Sequence, residues 1–468
     1  MTMKRDRLKL IGVLLLGCLT SGAHGNGIND TSTRAMGLAQ SYTALARGPE
    51  SVFWNPANLG LNGGTGFSWD ILMSGGTLIT ENNSFSVKDY NDNFTDGSFI
   101  TDAEKIDLLN DIPSSGFKVN TDIGLYSAAL LPINGGFTFG MPWGIQTAIV
   151  SGLATGFEGE VPKDIFNLML FGNEFNRTYE IARWDGSGWV LASLNWAAAK
   201  PWMPPQAEKY LSEFSVGGTL KFRGGGYGEV RSSNGYFTSY FDHPNELTGT
   251  SADVNLVTQF GGGTGFGIDL GVAGVTKDKK TTFSVALLNL VDTMSWGIKA
   301  RQDSGFVNVQ RLTTPDLAKE ENEDLANVLG NPTDEKGKTI FNETIGRESF
   351  SSSVPAILRV GGAHQLLPKL TVVGNYDQAF TEGFAITTTP RVSAGVEYTL
   401  VPWFPTRFGI SAGGRGSSSA IGFGFGPFFL PHVQLELVNL ALVTRGGFLP
   451  GVSKGAAISI MFFQLKIT

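Results

Sequence analysis

The chain has 468 residues, a formal net charge of -7 and a charged fraction of 16%. That length fits two or three soluble domains or one large barrel, and the charged fraction is well below the about 25% of ordinary soluble domains. The mild negative charge argues against nucleic-acid binding, which requires a basic face. Cys18 is the only cysteine, so an internal disulfide and a cysteine-based metal cluster are both excluded.

Residues 1–25 have the composition of a signal peptide. Four basic residues lie within the first nine positions, Leu8 to Leu16 is a short apolar core, and Ala23 to Gly25 offers a small-residue cleavage site. The core is too short to span a bilayer as a helix, and no later stretch of the sequence reaches about 18 apolar residues. Cys18 is either lipid-modified, because Leu-Leu-Gly precedes it, or removed with the signal peptide. We favour removal because Leu16 fits a lipidation motif poorly.

The stretch 31–60 starts with closely spaced small residues and ends in a turn. Small side chains let a segment pack closely inside a narrow space. Asn55 precedes Pro56 and is therefore biased away from helix, so the chain turns there just before the first strand-like run. The sequence predicts a compact plug over residues 26–62 that leads into a sheet.

This stretch resembles the amino-terminal hatch of the outer-membrane long-chain fatty-acid transporter superfamily (FadL and TodX type, with PorV-like relatives). Those proteins carry a similar Arg-Ala-Met-Gly, small-residue and Asn-Pro-Ala progression ahead of the first barrel strand. The resemblance is strongest over residues 31–60 and weaker over the remainder. It implies a hatch inside a barrel, formed by Arg34, Ala35, Met36, Gly37, Phe53, Trp54, Asn55, Pro56 and Ala57.

From residue 63 onward the dominant pattern is alternation of apolar and polar side chains with period two. In 213–223, for example, Phe214, Leu220 and Phe222 alternate with polar or charged residues, which is typical of a strand with one apolar face. The candidate strands are 65–72, 122–131, 137–150, 189–199, 212–224, 252–276, 281–291, 355–366, 370–379, 391–400, 407–415, 419–427, 433–442 and 456–467. Many have close to the ~10 residues that cross a bilayer at a tilt.

The connections between these strands alternate between long and short. The long ones are 73–121, 151–188, 225–251 and 292–354, and the short ones include 132–136, 200–211, 277–280 and 367–369. Bacterial outer-membrane barrels sort their loops in this way, with short turns in the periplasm and long loops outside the cell. A soluble β-sandwich has no reason to do so. The sequence therefore predicts an all-β fold, a transmembrane outer-membrane β-barrel of about 14 antiparallel strands over residues 63–468, embedded in Gram-negative outer-membrane lipid.

Glycines and tryptophans refine this prediction. Gly422, Gly424 and Gly426 alternate with large apolar residues, which predicts that the large groups face lipid and the glycines leave room inside. Tryptophans at strand ends and in adjoining loops predict interfacial girdles. They are Trp143, Trp184, Trp189, Trp196, Trp202, Trp296 and Trp403.

Three long loops carry helical patterns, at 101–112, 315–329 and 162–172. The last is apolar on nearly all sides, and such a helix requires burial or a hydrophobic ligand. Its apolar residues are Ile165, Phe166, Leu168, Met169, Leu170 and Phe171.

The sequence contains no catalytic pattern. His243, His364 and His432 are scattered and have no metal-ligand spacing. The glycine-rich run 261–267 lacks the Gly-Lys-Ser/Thr ending of a phosphate loop and predicts a sheet bend or bulge. We therefore expect no enzyme activity, metal or cofactor.

The resemblance implies uptake of hydrophobic molecules such as long-chain fatty acids. The apolar loop 162–171 would collect the ligand, and hatch movement or a kink in the wall would release it. Two alternatives remain open: a PorV-like barrel that docks secreted proteins, and a structural barrel without transport. An apolar cavity next to the hatch would favour transport, whereas a hatch without a cavity beneath polar loops would favour docking.

Overall fold

The strands form one antiparallel sheet that closes on itself, because the first strand pairs with the last. The structure is a computed structural model, and it describes residues 32–63, 67–95, 100–127, 135–174, 176–181, 185–240, 249–313, 341–346, 349–449 and 452–467. The signal segment, Trp184 and the predicted helix 315–329 lie outside these residues. The wall has fourteen strands, which confirms the predicted all-β barrel.

Nineteen strand segments form fourteen wall strands, because some consecutive segments lie end to end and pair with the same neighbouring strands. This holds for β2 with β3, β5 with β6, β10 with β11 and β12, and β16 with β17. The segments are β1 Ser68–Asn82, β2 Phe117–Ser127, β3 Gly136–Gly140, β4 Gln146–Val161, β5 Thr178–Glu180, β6 Asp185–Pro201, β7 Leu211–Tyr240, β8 Gly249–Thr276, β9 Thr281–Thr313, β10 Phe341–Gly346, β11 Phe350–Ser353, β12 Ile357–Leu367, β13 Leu370–Ala379, β14 Arg391–Val401, β15 Phe404–Gly413, β16 Ser418–Phe425, β17 Phe428–Leu430, β18 Val433–Arg445 and β19 Gly455–Ile467.

Helices occur in the amino-terminal segment and in the long loops. They are α1 Thr33–Gly37, α2 Ser51–Trp54, α3 Val87–Tyr90, α4 Asp102–Asp111 and α5 Lys163–Phe171, with 3-10 turns at Gly48–Glu50, Pro56–Gly63 and Pro142–Gly144 and a π turn at Asn91–Thr95. The start of α4 is fixed by a capping box between Thr101 and Glu104, in which each side chain accepts a backbone N–H of the other. In the part of the chain that the structure describes, no helix has both the length and the apolarity to cross a membrane.

The predicted alternation appears as an apolar outside and a polar or small-residue inside. Along β6, Val190, Leu194 and Trp196 are exposed, whereas Leu191 and Asn195 are buried. Other exposed wall side chains are Phe222, Phe266, Phe408, Ile421, Leu442 and Phe462. Apolar side chains that alternate outward around a closed sheet form the lipid-facing belt of an outer-membrane barrel.

The strands extend further into the predicted loops than expected. Pairing continues into all four of the segments 73–121, 151–188, 225–251 and 292–354, so each of these loops is shorter than predicted. The extensions carry no period-two apolar signal, because backbone pairing does not require one. The longest strands, β7 to β9, have 30, 28 and 33 residues, whereas about ten suffice to cross a bilayer. They therefore project beyond the membrane on the side of the long loops.

The predicted turn at 132–136 is wrong. β2 and β3 both run antiparallel to β1 and to β4, so they belong to one wall strand. The chain reverses later, at Pro142–Gly144, where Trp143 takes the left-handed conformation (φ 64°) and is 85% exposed. Pro132 and the following Asn-Gly-Gly carry the same turn signals whether a strand reverses or is interrupted, so sequence alone could not separate the two.

Candidate functional site in the barrel lumen

Residues 32–63, which we call the plug segment, lie inside the barrel at its short-turn end. Thr33 Oγ1 is 2.7 Å from Ser459 Oγ of β19, Arg34 binds Glu397 of β14, and Asn55 binds backbone carbonyls of β8 and β9. A segment that contacts strands so far apart around a closed wall must lie in the lumen. The nine residues predicted for the hatch all belong to this segment.

An ion pair joins the start of the plug segment to the wall. Arg34 donates from Nε and Nη2 to the two carboxylate oxygens of Glu397, at 2.8 and 2.7 Å. Arg407 Nε donates to the same carboxylate at 2.7 Å, and its Nη1 donates to Asn439 at 2.9 Å. The bidentate geometry fixes the direction of the approaching Arg34 as well as its position.

Met36 and Gly37, two of the residues predicted for the hatch, rest on a wall of small residues. Met36 is buried with Ala420 and Ala441, next to Ala35. Gly37 faces Gly422 so closely that a Cβ built on Gly37 would lie 3.0 Å from the Gly422 Cα. Outward neighbours of Gly422 include the exposed Ile421 and Phe425. This confirms that the wall glycines face inward and the large side chains face out.

Trp54 is held at the centre of the plug segment. It is 1% exposed, meets Tyr42 edge to face at a centroid distance of 5.4 Å, and lies 4.6 Å from the guanidinium carbon of the wall residue Arg359. Phe53, the preceding residue, is half-buried between two apolar clusters. The aromatic pair therefore packs inside the barrel.

The Asn-Pro-Ala corner docks on β7, β8 and β9. Asn55 Nδ2 donates to the carbonyls of Val272 and Val285 at 2.9 and 3.1 Å, and Asn55 Oδ1 accepts the Ala57 N–H at 2.9 Å. Pro56 opens the following 3-10 turn, where its missing N–H costs nothing. Ala57 lies against Gly217, where an added Cβ would be 2.7 Å from the Ala57 nitrogen. The Asn-Pro-Ala corner therefore fits closely against the wall because Gly217 has no side chain.

A second luminal element was missed by the sequence analysis. Residues 380–390, the inner loop, connect β13 to β14 and turn into the barrel at the long-loop end. Phe384 and Ala385 have positive φ angles of 50° and 62°, and both are buried. The Phe384 ring contacts Trp189 and Tyr227 at centroid distances of 5.5 and 5.7 Å. The segment has no periodicity, so no sequence signal marked it as luminal.

Trp189 and Trp296, predicted for the interfacial girdle, are buried in this cluster instead. The glycine run explains where Trp296 fits, because a Cβ on Gly263 would lie 2.6 Å from its ring. The β8–β9 register also shifts on either side of Gly262, which confirms the predicted bulge. By contrast, Trp143, Trp196, Trp202 and Trp403 are exposed.

A layer of buried ion pairs lies between the inner loop and the plug segment. Lys221 Nζ is 2.7 Å from Asp269, and Arg223 Nη2 is 2.8 Å from Asp292. On the opposite wall Arg359 pairs with Asp377 at 3.0 Å. The sequence predicted a polar inner face here but not the partners. Among the described residues, no three His, Cys, Asp or Glu side chains are placed to hold a metal ion.

A cavity of about 740 Å³, which we call the vestibule, opens at the long-loop end of the lumen. Its sides carry charged groups from β1, β2, β4, β6 and β7, and its apolar part comprises Tyr227, Phe350, Phe384 and Ile386. The vestibule is therefore mainly polar and lies away from the plug segment. The vestibule is therefore not the apolar pocket that the sequence analysis expected beside the hatch.

The predicted collecting helix lies in the outer loops, away from the hatch residues. Residues 163–171 are helical, but Phe166, Met169 and Leu170 pack against the first long loop, with Phe166 5.0 Å from Phe117. Ile165 and Leu168 are half-buried, and Phe171 is 37% exposed. Only part of the apolar surface is therefore open to a ligand.

A model of a family of unknown function (DUF5723) matches residues 60–431. The chain belongs to this family. No curated protein matches it.

Among solved structures, the chain is similar to the toluene transporter TbuX of Ralstonia pickettii, at 15% identity over 94% of this chain and 98% of that one, with a TM-score of 0.44. It is similar to the toluene transporter TodX of Pseudomonas putida at 9% identity over 96% and 99%, TM-score 0.47. A FadL homologue of Pseudomonas aeruginosa matches at 11% identity over 95% and 98%, TM-score 0.40. These identities and scores are too low to assign a ligand to this chain.

Proposed function

We propose that this chain is an outer-membrane transport protein for hydrophobic molecules, with long-chain fatty acids as the first ligand class to test. One observation carries the proposal. The vestibule leads to an aromatic floor, and the lumen below it is filled by the inner loop and the plug segment. The plug segment contacts the wall mainly through side chains, and backbone bonds hold only the two ends of the inner loop, so the middle of either segment can move without breaking strand pairing.

The inner loop is suited to movement because its conformation is strained. Phe384 and Ala385 are consecutive non-glycine residues in the left-handed region, which costs roughly 1–2 kcal/mol per residue. Aromatic packing of Phe384 on Trp189 and Tyr227 offsets that cost. A ligand that replaces the Phe384 ring against these residues would release the loop.

The wall offers a second route. β2 pairs with β1 up to Ser74–Ser127, and β3 pairs with β1 from Asp70–Gly136 in a register that is shifted relative to β2. This register shift is where we propose the kink for release. A hydrophobic molecule that leaves sideways enters the lipid directly and avoids the plug segment.

The test is uptake of labelled fatty acid by cells that display equal amounts of each variant. Phe384→Ala removes the ring that holds the inner loop in place, and such a truncation costs roughly 3–5 kcal/mol in a packed core. Because the inner loop is then released, uptake should rise several-fold. The control is Phe408→Ala, which removes an outward, exposed ring. Uptake no greater than that of cells without the barrel would contradict the proposal.

The docking scaffold remains a second candidate because β7 to β9 project far beyond the membrane. A strand of 33 residues spans about 110 Å along its length, several times what a crossing needs. Replacement of 232–256 by Asn-Gly shortens the β7–β8 hairpin and keeps Arg231 and Gln259 at the vestibule. Docking predicts loss of a secreted protein from the medium, whereas transport predicts that neither secretion nor uptake changes.

A further inference from the structure

We propose that the vestibule binds organic cations, such as alkylammonium groups, in preference to carboxylates. This names a ligand class for the proposed transport function and rests on that function. It is carried by two features of the cavity, an excess of carboxylates and a floor of aromatic rings.

Among the described residues that line the cavity, carboxylates outnumber cations. Six acidic residues line it, Glu81, Glu158, Glu160, Asp185, Glu229 and Glu382. Three basic residues line it, Lys118, Arg231 and Arg415. Arg445, just outside the lining, donates to Glu81 at 3.2 Å, which leaves two negative charges in excess.

The pairing shows where the excess lies. Lys118 pairs with Glu160 at 2.9 Å, so those two charges cancel. Arg231 is shared between Glu229 and Asp185, whose carboxylate is 3.9 Å away and more than half exposed. Glu382 is exposed and accepts a hydrogen bond from the neutral Thr388 hydroxyl. Within the described part of the chain, Asp185 and Glu382 therefore contribute the excess negative charge at the mouth.

A buried carboxylate at the same cavity is also incompletely satisfied. Glu81 is 5% exposed, and its Oε1 accepts no hydrogen bond. Among the described cations, Arg415 is nearest to that oxygen: its Nη1 lies 3.9 Å from Glu81 Oε1, and its Nη2 lies 3.7 Å from Glu158. A buried oxygen without a donor has hydrogen-bonding capacity left for a ligand or water.

The aromatic floor suits the same ligand. Tyr227, Phe350 and Phe384 line the cavity, and Trp296 stacks on Tyr227 at a centroid distance of 5.4 Å. Tyr227 Oη donates to Glu229 at 2.9 Å, which brings a carboxylate next to the rings. Ring faces attract alkylated ammonium groups, and nearby carboxylates strengthen that attraction.

A carboxylate ligand meets the opposite conditions. A cleft lined by charge of one sign and bounded by low-dielectric walls focuses its field on an entering molecule. Here the field favours a cationic head over a carboxylate head on the same chain, so a fatty acid that is taken up should bind the vestibule more weakly than its cationic counterpart. The preference should weaken as salt rises, because charges at an open mouth are screened over about 10 Å at 0.1 M.

The experiment compares three probes that share an eight-carbon chain: octylammonium, octanol and octanoate. Binding to the full-length protein in lipid nanodiscs is measured by titration calorimetry at low and high salt. We expect the Kd of the cation to be about tenfold below that of octanol and lower still relative to octanoate. Equal Kd values, or tighter binding of octanoate, would overturn the inference.

Two variants and one control localise the effect. Asp185→Asn with Glu382→Gln removes both uncompensated charges from exposed positions and should reduce the cation preference about three- to tenfold. Phe350→Leu keeps an apolar side chain but removes a ring, so it should weaken cation binding and spare octanol. Asp107→Asn with Asp111→Asn also removes two carboxylate charges, from exposed positions of α4 outside the vestibule, and should change nothing. If the cation preference is unchanged in both test variants, the cation-binding site does not lie in the vestibule.

The outcomes separate this inference from the proposed function. If octanol binds and fatty acid is taken up but the head group makes no difference, only the cation preference fails. If none of the three probes binds and no uptake occurs, both fail.

Discussion

Gly271→Ala should loosen the plug segment without disturbing the wall. An added Cβ at Gly271 would overlap Asn55 Oδ1 and lie 2.9 Å from Asn55 Cγ. The Asn55 side chain, fully buried, would have to move away and would lose its bonds to the carbonyls of Val272 and Val285. Strand pairing at Gly271 is unaffected because alanine keeps the backbone N–H and C=O.

The size of the effect follows from these contacts. Each net hydrogen bond contributes about 0.5–1.5 kcal/mol, so two or three lost bonds destabilise the docked plug by roughly 1–4 kcal/mol. At about 1.4 kcal/mol per factor of ten, the population of the undocked state rises by roughly one to three powers of ten. The thermal stability of the barrel itself should change little.

The assay is single-channel conductance in planar bilayers, with heat-modifiable gel mobility as the test of barrel assembly. We expect frequent open events in Gly271→Ala and wild-type behaviour in Gly362→Ala, where an added Cβ meets no atom within 4 Å. Closed behaviour in a correctly assembled Gly271→Ala barrel would refute the view that the Asn55 contacts hold the plug segment in place.

Two further predictions concern the outer loops. Phe171→Ser should lower initial ligand capture because the Phe171 ring is exposed. Phe166→Ser should also loosen the loops, since Phe166 contacts Phe117. Equal ligand binding by Phe171→Ser and the wild type would show that the helix does not collect ligand. Protease added to intact cells should cut within the acidic segment 314–335, for example after Lys319, because long loops lie outside. Cutting only after the outer membrane is opened would invert the topology.

Sequence pattern predicted the wall well because alternation reports directly on which side faces lipid. Ile421 and Phe425 are outward and Gly422 is inward for that reason. The lumen was harder to predict, because its contacts join residues far apart in sequence. No sequence feature near Phe384 predicts its contact with Trp189, and none near Arg34 predicts its ion pair with Glu397.

Two kinds of contact hold this barrel together: backbone hydrogen bonds join the wall strands, and side-chain contacts hold the plug segment against them. The described wall strands are hydrogen-bonded from β1 to β19 and back, so loosening the plug segment does not open the wall. The plug segment is fixed by the Arg34–Glu397 pair at one end and by Asn55 at the other. Loss of either anchor loosens one end while the other contacts of the segment remain, which favours pivoting of the segment over its expulsion. That difference makes a movable plug compatible with a stable barrel.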